Sequence, residues 1–381
     1  AVTVMDTEQP GWGASGRNGG FCCLGGSKLG SATMGKRFGD AERAAWHAAE
    51  RAAVDHVAAV LADHGIDADR HSEGETLLAH TPRAMDDLRN SVTETRATYG
   101  VTPQIIAPEA LRQHGMAGAF HGGMTIPIGF ALNPGKYHAG LAAAVTKSGA
   151  QVFGQSPATA IAPSGGAWRV TTPKGTITAD KVILATNGYS SEDLPDWLRA
   201  RYLPVHSSII VTRPITPVEQ AQQGWTSLQM CYDTRFLLHY FRLMPDGRFL
   251  FGMRGGLRAT PKAEAALSRT IRANFHRLFP EWRTLEITHE WSGLVCLMRS
   301  LTPFAGAVPD QPGLYAAMGY HGNGVAMGSY LGARIADSVL GRAATGPMPA
   351  FLSHPPKRFP LGPYRRALLA PAYAAAAFLD R

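Results

Sequence analysis

The chain has 381 residues, 45% apolar and 17% charged, with a net charge of +8. That length exceeds one simple domain, and the composition is that of an ordinary globular protein. The positive charge forms no basic run interleaved with aromatics, no zinc-ligand spacing occurs, and no apolar run has bilayer-spanning length, so nucleic-acid binding, a metal site and a membrane span are set aside. Cys22, Cys23, Cys231 and Cys296 make no disulfide framework or C-x-x-C pair, which reads as a reduced, cytoplasmic setting.

Ala1 to Met5 is a short apolar run closed by Asp6. A run of this kind ending in a carboxylate is the second strand of a dinucleotide-binding unit, where the acid accepts from ribose hydroxyls. Gly11-Trp-Gly-Ala-Ser-Gly-Arg-Asn-Gly-Gly20 follows, with Gly11, Gly13 and Gly16 in G-x-G-x-x-G spacing. Its backbone N–H groups suit a phosphate or a cofactor ring. Gly16 is followed by a poor helix interior and no acid stands at the usual distance downstream, so this is not the primary fingerprint. The first strand, glycine loop and helix of the unit are therefore expected upstream of Ala1, missing from the chain.

Asp40 is placed to cap a long helix with Trp46, Ala49, Ala53, Val57 and Val60 on one face, ended by Gly65. A strand at Glu75, a polar-faced helix from Pro82 to Tyr99 and a shorter helix from Pro108 come next. A Gly-rich apolar stretch from His121 to Leu132 suits a domain crossing. Asn133-Pro134 opens a helix through Lys147. A strand at Gln151 and a hairpin about Pro173-Lys-Gly175 feed Lys181-Val-Ile-Leu-Ala-Thr-Asn-Gly188, which reads as a doubly buried parallel strand.

Between Pro204 and Gly293 alternating strands at Ser207, Phe236 and Arg248, with a helix from Ala263 to Phe279, predict an antiparallel sheet. The chain then returns to a buried strand over Gly313–Gly319, a glycine turn Tyr320-His-Gly-Asn-Gly324 and a helix to Leu340. An Ala-rich helix from Ala367 to Leu379 is expected to dock on the body. The fold class is α/β (α+β overall): a Rossmann-like domain from 1–70, 133–203 and 294–345, an antiparallel-sheet domain from 71–132 and 204–293, and a tail over 346–381.

The motifs at Val2–Asp6, Gly11–Gly20, Ala185-Thr-Asn-Gly-Tyr189, Glu290-Trp-Ser-Gly293 and Gly319–Gly324 resemble the FAD-dependent amine and amino-acid oxidoreductases, the superfamily of D-amino-acid, glycine and sarcosine oxidases. The nearest likeness is to gamma-glutamylputrescine oxidoreductase-like enzymes, whose tail is similar to Phe359–Arg366. The resemblance implies FAD as cofactor, a small-molecule amine or amino-acid substrate and C–N oxidation to an imine by hydride transfer to the flavin. Oxygen is the expected acceptor; the oligomeric state stays open.

On this reading Asp6, Ser15, Gly16, Arg17, Asn18, Gly19, Gly20, Ala185, Thr186, Gly188, Gly319, Gly322, Asn323, Gly324 and Val325 bind the cofactor. Tyr320, His321, Arg254 and Trp291 are the catalytic-site candidates. Tyr320 and Trp291 are substrate-site walls or core. Arg254, like Arg242 on a neighbouring strand, is a partner for a substrate carboxylate or a surface arginine. Cys296 is a flavin-linked or an inert thiol. His321 and Asn323 replace a serine and a histidine of the family pattern, and the segment Leu297–Pro303 lacks its aspartate. Two alternatives stand beside this reading: a same-fold flavoenzyme acting on an unusual secondary-metabolite amine, and a degenerate FAD-free scaffold subunit.

Overall fold

The computed structural model describes residues 1–256 and 261–380. One layer is an eight-stranded sheet in the order Ile287–Met298, Tyr202–Pro214, Arg248–Arg254, His239–Leu243, Met230–Asp233, Glu75–Leu78, Gly123–Ile126 and Gln104–Ile106. Neighbours run antiparallel except Met230–Asp233, which lies parallel to Glu75–Leu78. Segments far apart in the chain thus share one sheet. On one of its faces lies the helix Pro261–Leu278, with Ile271, Phe275 and Leu278 wholly buried. They join Trp225, Phe241, Phe249, Phe251, Phe279 and Trp282 in an aromatic core. Ring centroids there are 4.9 to 6.4 Å apart, the range in which edge and offset contacts are attractive.

A second core is helical. The helix Asp40–Asp63 sets Trp46, Ala49, Ala53 and Val57 against Met327, Tyr330 and Leu331 of the helix Gly324–Val339. The expected face is buried except for the half-buried Val60, but Asp40 is not the cap. Gly39, at φ 93°, takes that position, and Asp40 lies in the first turn, where its charge favours the helix N-terminus. Helix Pro82–Tyr99 begins and ends where its sequence predicts, with Thr81 Oγ1 accepting from Ala84 N at 3.1 Å.

The parallel component comes in two pieces. Thr3–Met5 pairs with Gln151–Phe153, and Val182–Leu184 pairs with Leu314–Met318, which Phe304–Ala307 extends antiparallel. Val182–Leu184 is not doubly buried, because Ile183 is 45% exposed. The strand expected from Phe236 starts at His239. Phe236 is instead an exposed turn residue, held because Asp380 at the end of helix Leu369–Leu379 accepts from the amides of Phe236 and Leu237 at 2.6 and 3.2 Å. That helix buries only Leu369 and Ala376.

Candidate active site

Three segments that turn on glycine meet the large sheet over the strands Ile287–Met298, Arg248–Arg254 and His239–Leu243. The first is Gly11–Gly20, wound about a four-residue helix, Ala14–Arg17. A Cβ on Gly16 would lie 2.2 Å from the Gly11 carbonyl oxygen, and one on Gly20, at φ 74°, 1.9 Å from that of Leu132. Only glycine permits these approaches. Asn18 ties the turn, donating to the carbonyls of Ala14 and Ser15 and accepting from Gly20 N at 2.8 Å. Arg17 stacks over Trp12 and donates to the carbonyls of Trp12 and Ser292. Trp291 Nε1 in turn donates to the Arg17 carbonyl at 2.8 Å, so Trp291 braces the turn. Asp6 ends its strand with Oδ1 accepting from Glu8 N.

Arg242 closes this segment onto the sheet. Its guanidinium is buried and donates to the carbonyls of Gly19 and Leu132 at 3.0 and 2.9 Å, while Nη1 meets His71 Nε2 at 2.8 Å. With all three nitrogens engaged, Arg242 is a staple for Gly19–Gly20 and not a carboxylate receptor. Tyr240 crosses over Gly252, contacts Gly19 and shares a hydrogen bond with Ser207 at 2.9 Å.

The second segment is Ala185–Gly188. Ala185 and Thr186 are exposed, and Thr186 Oγ1 meets Ser190 Oγ at 2.6 Å. Gly188 is buried against Leu294. Asn187, a residue that sequence reasoning passed over, accepts from Gly319 N at 2.9 Å and joins this segment to the third.

The third segment is Gly319–Val325. His321 is 1% exposed; Nδ1 lies 2.8 Å from the Gly26 carbonyl and Nε2 accepts from Met298 N at 3.1 Å. Burial above all lowers its pKa to about 4, so the ring is neutral, with its proton on Nδ1. Tyr320 packs its ring against Gly328 and the helical core. Asn323 stands at the N-cap of helix Gly324–Val339 but does not cap it; Nδ2 donates to the Leu24 carbonyl at 2.6 Å. The first-turn N–H groups of Gly324 and Val325 are left to an outside acceptor.

Two cations adjoin this turn. Arg254 donates to the His321 carbonyl at 3.1 Å, and a Cβ on Gly322 would lie 2.7 Å from its Nη2. Lys28 is reachable by water yet crowded by protein. That desolvation, followed by the charge of Arg254, lowers its pKa to about 7. Among the described residues neither cation has a carboxylate partner. Lys28 carries no motif that would single it out. Behind it, the buried carboxyl of Glu75 accepts from Tyr232 Oη at 2.6 Å and Leu24 N at 3.2 Å, with burial raising its pKa to about 7. Burial pushes the Cys296 thiol up to about 12, an inert state. No cluster of three or more metal-ligating side chains occurs among the described residues.

Backbone laid bare by glycine, an uncapped helix N-terminus and two unbalanced cations fit a flat cofactor ring that gains negative charge on reduction. A family profile described as FAD-dependent oxidoreductase (DAO) matches residues 1–338. The chain belongs to the FAD-dependent oxidoreductase (DAO) family.

A probable oxidoreductase, OrdL, of Rhizobium meliloti is 31% identical over all of this chain and 86% of its own length. Gamma-glutamylputrescine oxidoreductase of Escherichia coli is 26% identical over 95% of the chain and 82% of its own. Among solved structures, glycine oxidase from Geobacillus kaustophilus superposes with a TM-score of 0.73 at 21% identity, covering 92% of this chain and 91% of that one. As a DAO-family member the chain is a FAD-dependent enzyme, which removes the cofactor-free scaffold from consideration. No helix among the described residues is long and apolar enough to cross a membrane.

Proposed function

We propose that this DAO-family enzyme oxidises the C–N bond of an amino acid, an amine that also carries a carboxylate, to an imine that water then hydrolyses. The observation behind this reading is the pair Arg254 and Lys28: two cations without a counter-ion, beside an uncapped helix N-terminus. Unpaired charge at such a site is costly unless an anionic ligand answers it. The names of relatives point the same way, since they include a glycine oxidase and an oxidoreductase of a glutamyl amine.

Bound FAD supplies acceptance of two electrons and a proton, with oxygen as the final acceptor. Segments 1–70, 133–203 and 294–345 would hold it. Asp6 would take the ribose and Gly16–Gly20 the phosphate side. Ala185, Thr186 and Gly188 would line the cofactor, while Gly322, Gly324 and Val325 would offer backbone donors at the helix N-terminus. The strands of 71–132 and 204–293 would carry the substrate. Arg254 would hold the substrate carboxylate through the guanidinium nitrogens that the His321 carbonyl leaves free. His321 would position rather than catalyse, because both ring nitrogens are engaged.

The test is Arg254→Ala with matched amino acids and their decarboxylated amines. KM should rise about 10- to 100-fold for the amino acids, the worth of one charge-assisted hydrogen bond. An equal rise for the amines would reject the assignment. Hydrogen peroxide release during turnover checks the acceptor.

A further inference from the structure

A second group of unbalanced cations lies outside these three segments. Arg37, at the end of helix Ser31–Phe38, joins Arg299, Ser300 and Lys357 around a cleft of about 230 Å³. No carboxylate lines it. Among the described residues none of the three cations forms an ion pair. The wider field has the same sign: residues 341–380 hold Arg342, Lys357, Arg358 and Arg366, besides Arg365, which is paired with Glu192, against one acid, Asp380, whose carboxylate is engaged by the Phe236 and Leu237 amides.

Both guanidinium groups are held in place. Arg37 donates through Nη1 to the Ser300 carbonyl at 3.2 Å and stacks over Phe38. Arg299 donates through Nη1 to the Arg358 carbonyl at 2.9 Å. Each therefore spends one nitrogen on orientation and keeps Nε and Nη2 free, the pair that grips two oxygens of a tetrahedral anion. Lys357 adds a mobile point charge. The Ser300 hydroxyl already donates to the Thr302 carbonyl, so recognition rests on the cations. Arg299 and Ser300 belong to the segment that lacks its expected aspartate, and an acid there would cancel this charge.

We propose that the Arg37–Arg299–Lys357 cleft is a binding site for a phosphate group, either a free phosphate monoester or a lipid headgroup, separate from the cofactor site. The strap forming it also supports the active site. The Leu301 carbonyl accepts from Lys28 N at 2.8 Å and Ser27 Oγ at 3.0 Å, and Met298 N donates to His321. Ligand in the cleft thus bears on the strap that holds Lys28 and His321.

The experiment titrates the FAD-loaded enzyme with inorganic phosphate by calorimetry, with sodium chloride holding ionic strength constant. Saturable binding is expected, weakened about tenfold or more in Arg299→Gln, as loss of a charge-assisted pair implies, and abolished in Arg37→Gln/Arg299→Gln/Lys357→Gln. Flavin absorbance should remain with the protein in all three. Absence of a saturable response, equal binding by the triple variant, or release of flavin by phosphate would each overturn the proposal. Co-sedimentation with phosphatidylglycerol vesicles separates the sources. Pelleting that phosphate competes away identifies a headgroup; phosphate binding without pelleting identifies a soluble monoester.

Discussion

The aromatic core of the eight-stranded sheet and the glycine-lined segments facing it solve opposite problems. In the core, Phe249, Phe275 and Phe279 are wholly buried among their own kind. On the side proposed to hold the cofactor, Val4, Phe153 and Ile183 of the short parallel strands are 43 to 45% exposed, and among the described residues Arg254 and Lys28 have no carboxylate partner. One half is stabilised by what it contains. The other is arranged for what it binds, so ligand is expected to stabilise it by mass action.

The largest effect that could break this contrast is in the core. Phe279→Ala should cost about 3–5 kcal/mol in denaturant unfolding, with flavin content per folded molecule unchanged. Parallel loss of flavin would show that the two halves are not separable in this way. Gly20→Ala should do the reverse. Its Cβ conflicts with the Leu132 carbonyl at 1.9 Å, so flavin loading should fall sharply while the aromatic near-UV signal of the core persists.

A pH series sharpens the contrast within the site. The Lys28 pKa lies below that of an ordinary lysine, at about 7, so its ammonium is charged below that value and neutral above it. Affinity for benzoate, a carboxylate probe read by flavin spectral change, should fall as pH rises from 6 to 8. Lys28→Met should flatten that dependence, and a variant that keeps it would assign the titration elsewhere. The smallest effect is expected at Asp6→Ala, a several-fold loss of FAD affinity of the size of one hydrogen bond, roughly 1 kcal/mol. Unchanged flavin retention through dialysis would remove Asp6 from the cofactor set.

Much of the fold was legible because its signals are local. Pro82 to Tyr99 carries its own cap residue and its own stop at Gly100, and Asn133-Pro134 opens its helix with the asparagine accepting from Gly135 and Lys136. The glycine turns announced themselves by composition. What escaped depends on distant partners. Arg242 read as a carboxylate partner or a surface arginine, and it is neither, because Gly19, Leu132 and His71 hold its buried guanidinium. His321 looked catalytic until Gly26 and Met298 were seen to occupy its nitrogens. Lys28 and Glu75 have no motif; crowding by protein and the charge of Arg254 give the first its character, and burial gives the second. Ile183 read as buried because an apolar run does not say how many of its faces are covered.

The grip of Asp380 on the Phe236 and Leu237 amides has a practical side. It works as a latch on a turn whose other anchor is Asp233, bonded to Arg235 and His239. An affinity tag fused directly after the last helix would strain that latch. Asp380→Ala would open it, and the turn at 234–238 would then be exposed to endoproteases even with the flavin still in place.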